Sequence, residues 1–171
     1  TALAQAHPGR PLIGFFTGAR KGKGLSLPQW QRLLGDLRRQ RPDALLIQFN
    51  DPADPLPLLG DMQVSLGNLS ELARFASGLA LFVSCDTGPL HLAAASGVPC
   101  LGLFTQTDPA RYGCLGAQHL NQVVDDRNAI PLDAHWLAET LAREQAPREL
   151  QPALSHVHYL NPSPAPLLMA R

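Results

Sequence analysis

The sequence has few cysteines and no excess of charge of either sign. Cys85, Cys100 and Cys114 stand at wide spacing with no C-x-x-C pair, a pattern typical of neither a disulfide framework nor a zinc site. The 14 basic residues balance the 14 acidic ones, so net charge points to neither nucleic acid nor a membrane surface. The sequence has no signal peptide and no apolar run of membrane-spanning length. We therefore expect a soluble, cytoplasmic protein.

Although the charges balance, they are unevenly placed. Up to Arg41 the chain carries 8 basic residues but a single acidic one, Asp36. An amphipathic helix with a solvated face accounts for several of them. It does not account for Arg20, Lys21 and Lys23, which lie in a glycine-rich loop. This loop predicts an anion-binding edge.

Apolar runs alternate with amphipathic segments along the 171 residues, of which 45% are hydrophobic. We predict strands at residues 12–17, 44–49, 62–66, 79–83, 100–104 and 120–124. We predict helices at residues 26–40, 69–75, 89–97 and 133–144, with inward-facing residues Leu27, Trp30, Leu33, Leu34, Leu37, Trp136, Leu137 and Leu141. Residues 1–11 are interpreted as a linker or a crossing segment, 50–60 as a proline-broken loop, and 105–118 as a long polar loop. The alternation predicts an α/β fold, a Rossmann-like open parallel sheet with helices on both faces, spanning residues 1–145 before a proline-rich tail at 146–171.

The stretch from residue 79 to residue 104 predicts a strand, a tight turn, a helix and a parallel strand. Thr87 and Gly88 can cap a helix whose first residue is Pro89, and Gly97 ends it. The free N–H groups at such a helix start favour an anion beyond the carboxyl ends of the strands. We therefore interpret Asp86, Thr87 and Gly88 as the floor of a ligand site.

The basic loop and this turn should face the same edge of the sheet and form a cradle for a diphosphate. Backbone N–H groups of Thr87 and Gly88 would hold one phosphate, and Lys23 would neutralise the other. Asp86 would be free to accept hydrogen bonds from sugar hydroxyls. His91, in the first helical turn, would be a neutral hydrogen-bond donor.

Three segments resemble, in the same order, motifs of the heptosyltransferase family of GT-B glycosyltransferases. Residues 23–30, KGLSLPQW, are similar to its phosphate-lysine segment. Residues 84–95, SCDTGPLHLAAA, with GVP at 97–99, are similar to its donor-site signature. Residues 103–113, LFTQTDPARYG, are similar to the loop that follows. The resemblance covers roughly residues 12–144.

This resemblance implies the C-terminal, Rossmann-like half of such an enzyme, which binds a nucleotide-diphosphate sugar, commonly ADP-heptose, without a metal or other cofactor. The implied diphosphate contacts are Lys23, Thr87, Gly88 and His91. Asp86 would contact the donor sugar, Asp51 and Asp54 are candidates for the ribose, and Thr107, Asp108 and Arg111 are candidate loop contacts. Lys23 would also stabilise the leaving group.

The sequence departs from the family pattern at three points. The family's N-terminal acceptor-binding domain, which carries an aspartate general base, is not in this sequence. Thr105 and Gln106 replace the glycine and proline usual in the last motif. The helix that bears an acidic ribose ligand is replaced by the loop that holds Asp51 and Asp54.

We therefore expect an inverting, metal-independent glycosyltransferase half that moves a heptose or related sugar to a glycan or lipopolysaccharide-type acceptor. Its partners would be the donor and an acceptor domain on the same parent chain or on another chain. We expect no nucleic acid, and contact with a membrane only through the acceptor. A non-catalytic sugar-nucleotide-binding or scaffold module is the alternative. Cys85 lacks the flanking glycines of a hydrolase nucleophile, and His156-x-His158 lacks a third metal ligand.

Overall fold

A six-stranded parallel sheet organises the part of the chain that the computed structural model describes, residues 2–53, 56–125, 130 and 132–143. Every neighbouring pair of strands is parallel. The strands are β1 (Leu12–Phe16), β2 (Leu45–Asn50), β3 (Met62–Ser65), β4 (Leu81–Cys85), β5 (Cys100–Phe104) and β6 (Leu120–Val123). Their order is β3-β2-β1-β4-β5-β6. This confirms the predicted Rossmann-like fold class.

Helices cover both faces of the sheet. They are α1 (Ala2–Ala6), α2 (Leu27–Gln40), α3 (Leu69–Ala76), α4 (Gly88–Ala95), α5 (Pro109–Tyr112) and α6 (Ala134–Ala142). On one face, Trp30 of α2 and Leu137 of α6 are buried against the sheet. On the other, Leu72 of α3 and Leu90 of α4 form a second core. Within the described residues, no helix combines the length and apolar character needed to cross a membrane.

The start of α2 shows why the sequence forms a helix there. Ser26 caps the helix by accepting a hydrogen bond from the Gln29 backbone N–H, and the Gln29 side chain accepts from the Ser26 backbone N–H. This capping box satisfies two N–H groups. Trp30, Leu33, Leu34 and Leu37 are buried as predicted. Leu27 is not, because it lies at the first helical position and remains 37% exposed.

The sequence was misread in three other places. Residues 2–6 form the short helix α1 rather than a linker, α4 begins at Gly88 rather than Pro89, and α5 lies inside the predicted polar loop. Strand ends differ from the predictions by one or two residues, and Trp136 is only half-buried. Asp54, Glu144, the 146–171 tail and the His156–His158 pair lie outside the described residues.

The described part of the 50–60 loop has no helix, as predicted. The buried Gln48 side chain holds it by donating to the Pro57 carbonyl at 3.0 Å and accepting from the Leu59 N–H at 2.7 Å. The buried Gln48 amide thus provides hydrogen-bond partners for backbone groups of the loop, which in a helix would pair with one another.

The strand order places β1 beside β4, although two other strands lie between them in sequence. The chain runs outward from β1 through β2 to β3 and then returns to start β4 on the other side of β1. At such a switch point, the loops after the two central strands diverge and leave a crevice at their carboxyl ends. The basic loop and the Asp86–Gly88 turn border this crevice.

Candidate functional site

A cleft of about 650 Å³ opens at the carboxyl ends of β1 and β4. One wall is the basic loop after β1, and the other is the start of α4 together with the loop after β5. The cleft lining contains seven of the residues that the sequence predicts for the ligand site: Lys23, Asp51, Asp86, Thr87, Gly88, His91 and Thr107. The structure therefore brings together side chains from four separate loops.

Asp86 is the centre of the hydrogen-bonding network in this cleft. Its carboxylate lies 3.4 Å from Lys23 Nζ, 3.1 Å from His91 Nε2 and 2.8 Å from Thr107 Oγ1. The prediction that Asp86 is free is therefore wrong. A carboxylate offers about four lone-pair positions, so after three hydrogen bonds one position remains for a further donor.

These contacts keep Asp86 ionised. Burial would raise its pKa, but the hydrogen bonds from Thr107, His91 and Lys23, together with the charge of Lys23, outweigh burial and leave the pKa below its ordinary value. Because an ionised carboxylate only accepts, His91 Nε2 acts as the donor. Asp86 thus gives the cleft a fixed negative charge with cationic and neutral donors around it.

The basic loop is held in place by the loop after β5. Gly22 has a φ of +84°, a backbone conformation that only glycine adopts without strain. A Cβ at this position would lie 2.7 Å from Gln106 Nε2, and Thr105 Oγ1 donates to the Gly22 carbonyl at 3.4 Å. Thr105 and Gln106 are the two departures from the family's last motif. Both lie against the loop that presents Lys23.

The start of α4 faces the cleft with its amides. Thr87 has extended backbone angles, and its Oγ1 accepts from the Leu90 N–H and pairs with Ser84 Oγ at 2.8 Å. Its hydroxyl is therefore committed to the cap, while the first turn carries no acidic residue. A Cβ on Gly88 would meet nothing within 4 Å. The positive end of this helix is open to an anion.

The remaining predicted residues differ in how close they come to the cleft. Asp51 lines it, with Oδ1 accepting from the Ala53 N–H at 2.9 Å. Asp108 instead caps α5 through the Ala110 N–H, and Arg111 lies over the Tyr112 ring at 5.3 Å. Neither Asp108 nor Arg111 lines the cleft, and their roles as ligand contacts stay predictions.

Six residues that line the cleft were not selected from the sequence, and Arg20 and Tyr112 are the polar ones among them. Arg20 lies in the loop whose basic character was the signal for an anion site, and only Lys23 was selected from it. Tyr112 is the penultimate residue of the third family-like motif, and it is 43% exposed. An exposed aromatic residue in a motif loop is a signal for ligand contact that could have identified it.

Cys85 lies at the end of β4, next to the cleft, but is not part of its chemistry. It is 1% exposed, and burial raises its pKa to about 12. A thiol in this state is a poor nucleophile at neutral pH because so little of it is ionised. This agrees with the interpretation of Cys85 as a small buried residue.

Among the residues that the structure describes, the side chains grouped closely enough to hold a metal ion are Cys100, Cys114 and His119. None of them lines the cleft. The cleft offers Lys23, Arg20 and a helix N-terminus, together with the carboxylates of Asp86 and Asp51. This arrangement is suited to binding a phosphate-bearing ligand.

The fold is that of one half of a GT-B glycosyltransferase, and comparison with known proteins specifies the family. Residues 55–134 match the family model of glycosyltransferase family 9 (heptosyltransferase). The chain is 37% identical over 125 residues to lipopolysaccharide heptosyltransferase 1 of Salmonella typhimurium, an alignment that covers 73% of this chain and 35% of that protein. These matches support the assignment of the chain to the heptosyltransferase family.

Solved structures of the same family share the fold. A heptosyltransferase of E. coli solved with ADP superposes with a TM-score of 0.56 at 21% identity, over 84% of this chain and 49% of that one. The ADP-heptose heptosyltransferase II of E. coli gives a TM-score of 0.62 at 18% identity, over 81% and 49%. The chain thus spans about a third of the curated relative and about half of each of these structures.

Proposed function

We propose that this chain is the donor-binding domain of a heptosyltransferase and that its cleft binds the diphosphate of a nucleotide-diphosphate sugar. The observation that carries the proposal is the convergence of Lys23, Arg20 and the start of α4 on one cleft. Each is a group that favours phosphate, and they come from different loops of the fold.

In this proposal Lys23 contacts the ligand without leaving Asp86. A lysine ammonium carries three donors, and the described contacts of Lys23 Nζ use one of them, at 3.4 Å from Asp86. The side chain is 33% exposed, so the other donors are accessible from the cleft. Thr87 and Gly88 would supply backbone N–H groups from the other wall. Asp86 would position Lys23 and use its remaining lone pair on a sugar hydroxyl.

We propose a more limited role for His91 in diphosphate binding than the sequence suggested. Its Nε2 already donates to Asp86, so His91 could donate to a phosphate only after that bond is exchanged or with the second ring nitrogen protonated as well. We assign His91 to orienting Asp86 first and to contacting the diphosphate second.

The proposed reaction is transfer of a heptose or related sugar to a glycan or lipopolysaccharide-type acceptor, with inversion and without a metal. Lys23 and the α4 amides would stabilise the negative charge that develops on the diphosphate leaving group. The general base and the acceptor site would belong to an N-terminal domain, on the same parent chain or on a separate chain. ADP-heptose is the proposed donor, with Asp51 as the ribose contact. We place the reaction in the cytoplasm, with the membrane reached only through the acceptor.

Calorimetric titration of the chain with ADP, UDP and GDP tests the proposal, with AMP as the ligand that lacks a diphosphate. Lys23→Ala should weaken the best diphosphate by about 1.5 to 3 kcal/mol, the contribution of a hydrogen bond to a charged group. Lys21→Ala is the matched control, because Lys21 is an exposed lysine of the same loop that does not line the cleft.

Two results would contradict the proposal. One is equal loss of affinity in the two lysine variants, which would indicate general attraction by the basic loop. The other is a wild-type chain that binds AMP as tightly as ADP, which would show that no second phosphate is recognised.

The absence of a helix in the described part of the 50–60 loop favours a second candidate, a sugar-nucleotide-binding module without catalysis. Both candidates predict binding of the donor. They differ in the parent gene, because the enzyme requires an upstream Rossmann half with an acidic residue facing this cleft. Sequencing upstream of residue 1 distinguishes them.

A further inference from the structure

Two cysteines and a histidine that are distant in sequence meet in the interior beside β5. Cys100 begins β5, Cys114 lies in the loop after α5, and His119 directly precedes β6. Their ligand atoms, two Sγ and one ring nitrogen, all lie within 4.8 Å of one another. They are 0%, 6% and 8% exposed. We call these three residues the thiol–imidazole cluster.

The backbone around the cluster is fixed by contacts that position its members. The Asn121 side chain brackets Cys114, accepting from its N–H at 2.8 Å and donating to its carbonyl at 2.9 Å. The Cys100 N–H donates to His119 Nδ1 at 3.1 Å. A Cβ on Gly113 would lie 2.4 Å from the Pro109 carbonyl oxygen, so the loop can approach this closely only with glycine there. A site that is held in place before binding loses less entropy when a ligand arrives.

We propose that the thiol–imidazole cluster is a buried binding site for one Zn²⁺ ion, separate from the ligand cleft. Two thiolates and an imidazole are ligands that Zn²⁺ prefers, whereas Mg²⁺ and Ca²⁺ prefer oxygen. Three protein ligands leave one position of a tetrahedral site for a water molecule.

The net charge of the occupied site favours Zn²⁺ over a monovalent soft ion such as Cu⁺. Cysteine coordinates as the thiolate and histidine as the neutral imidazole. Two thiolates with Zn²⁺ give a site of zero net charge, whereas Cu⁺ would leave one uncompensated negative charge. Burying net charge is costly, and all three side chains are buried.

Two of the three ligands must change a contact. Cys100 Sγ donates to the Val98 carbonyl at 3.2 Å and gives up that hydrogen bond when it coordinates as the thiolate. The other ligand is His119. Its Nδ1 lone pair accepts from the Cys100 N–H, so coordination through Nδ1 displaces that hydrogen bond, and coordination through Nε2 moves the ring proton to Nδ1. The two thiolates therefore carry most of the affinity. The bound ion would join the loop after α5 to β5, and Tyr112 of the cleft is the last residue of α5.

The test is titration of the EDTA-treated, fully reduced 171-residue chain with Co²⁺, a coloured substitute for Zn²⁺, followed by competition with Zn²⁺. We expect thiolate-to-cobalt charge-transfer absorption, one ion per chain, and displacement by Zn²⁺. The double variant Cys100→Ala/Cys114→Ala should lose these bands. Cys114→Ala alone should weaken Zn²⁺ by more than about a hundredfold, the upper end of what loss of an outer-shell partner costs.

Two controls separate this site from other sources of metal affinity. Cys85→Ala removes a buried cysteine outside the cluster, and His156→Ala/His158→Ala removes the histidine pair near the C-terminus. Both should keep the charge-transfer bands and the one-ion stoichiometry. Circular dichroism establishes that each variant is folded before titration. Absence of the bands in the wild type, their persistence in the double cysteine variant, or their loss in either control would overturn the proposal.

Discussion

Substitution of Gly88 distinguishes a ligand-binding role of the α4 start from a purely structural role. A Cβ at this position would meet no atom within 4 Å, and Gly88 is not among the glycines with positive φ. The open space is the cleft itself, which Gly88 lines. A methyl group there would project toward the place where we propose a phosphate, and so Gly88→Ala should block the ligand.

The expected cost to the fold is small but not zero. Gly88 lies inside α4 and precedes Pro89, and a residue with a Cβ is disfavoured in helical conformation before proline. Replacing glycine by alanine offsets part of this loss of stability, because alanine lowers the conformational entropy of the unfolded chain. We expect the free energy of unfolding to change by less than about 1 kcal/mol.

Gly97 provides the matched control at the other end of the same helix. Its φ is +83°, so Gly97→Ala forces alanine into the left-handed region and should cost about 1 to 2 kcal/mol of stability. It does not line the cleft, so binding should be unchanged.

The assay is urea unfolding of wild type, Gly88→Ala and Gly97→Ala, each with and without ADP. At a concentration of ADP one hundred times its Kd, the ligand should stabilise wild type and Gly97→Ala by about 2.7 kcal/mol, and Gly88→Ala by almost nothing. Equal stabilisation of all three proteins would refute a phosphate at this helix start. If both variants lost the same free energy of unfolding without ADP, glycine would instead be required at position 88 for the backbone conformation.

Three further predictions concern the same region. Folding lowers the pKa of Asp86, so the ionised carboxylate stabilises the fold above about pH 3.9, the ordinary Asp value, and this stabilisation is lost as pH falls through the folded pKa. The difference in unfolding free energy between wild type and Asp86→Asn should therefore shrink in acid. A difference that stays constant across pH would contradict the hydrogen-bonding network of Asp86. Cys85, with its pKa raised to about 12, should resist iodoacetamide in the folded chain at pH about 8 and react once unfolded; rapid native labelling found by peptide mass spectrometry would show that it is accessible. The chain alone should give no glycosyl transfer from ADP-heptose by mass spectrometry, and turnover at about 1 per second would place a general base within these residues.

The sheet and the cleft could be predicted because their signals are local. Buried parallel strands appear as continuous apolar runs, and the Thr87 cap with Pro89 in the first turn marks a helix start. Lys23 could be linked to Asp86 because loops after neighbouring parallel strands share an edge, and the two side chains do meet at 3.4 Å.

What could not be predicted depends on contacts between distant segments. Asp86 was expected to be free, because nothing in the linear sequence shows that Thr107 reaches it. The thiol–imidazole cluster is built from residues spaced 14 and 5 apart, which the crossing from β5 to β6 brings together. Helix α1 spans only five residues and buries none of them, so its pattern does not differ from that of a linker.

The central claim is that a nucleoside diphosphate binds at the β1–β4 switch point, and an NMR titration of the ¹⁵N-glycine-labelled chain with ADP tests it most directly. Among the 14 glycines, Gly18 and Gly88 line the cleft, whereas Gly35 lies on α2 and Gly97 follows α4. The account predicts that the amide signals of Gly18 and Gly88 shift together and saturably with ADP, while those of Gly35 and Gly97 stay in place. Saturable shifts confined to Gly35 or Gly97, or no shift at any glycine at millimolar ADP, would contradict it.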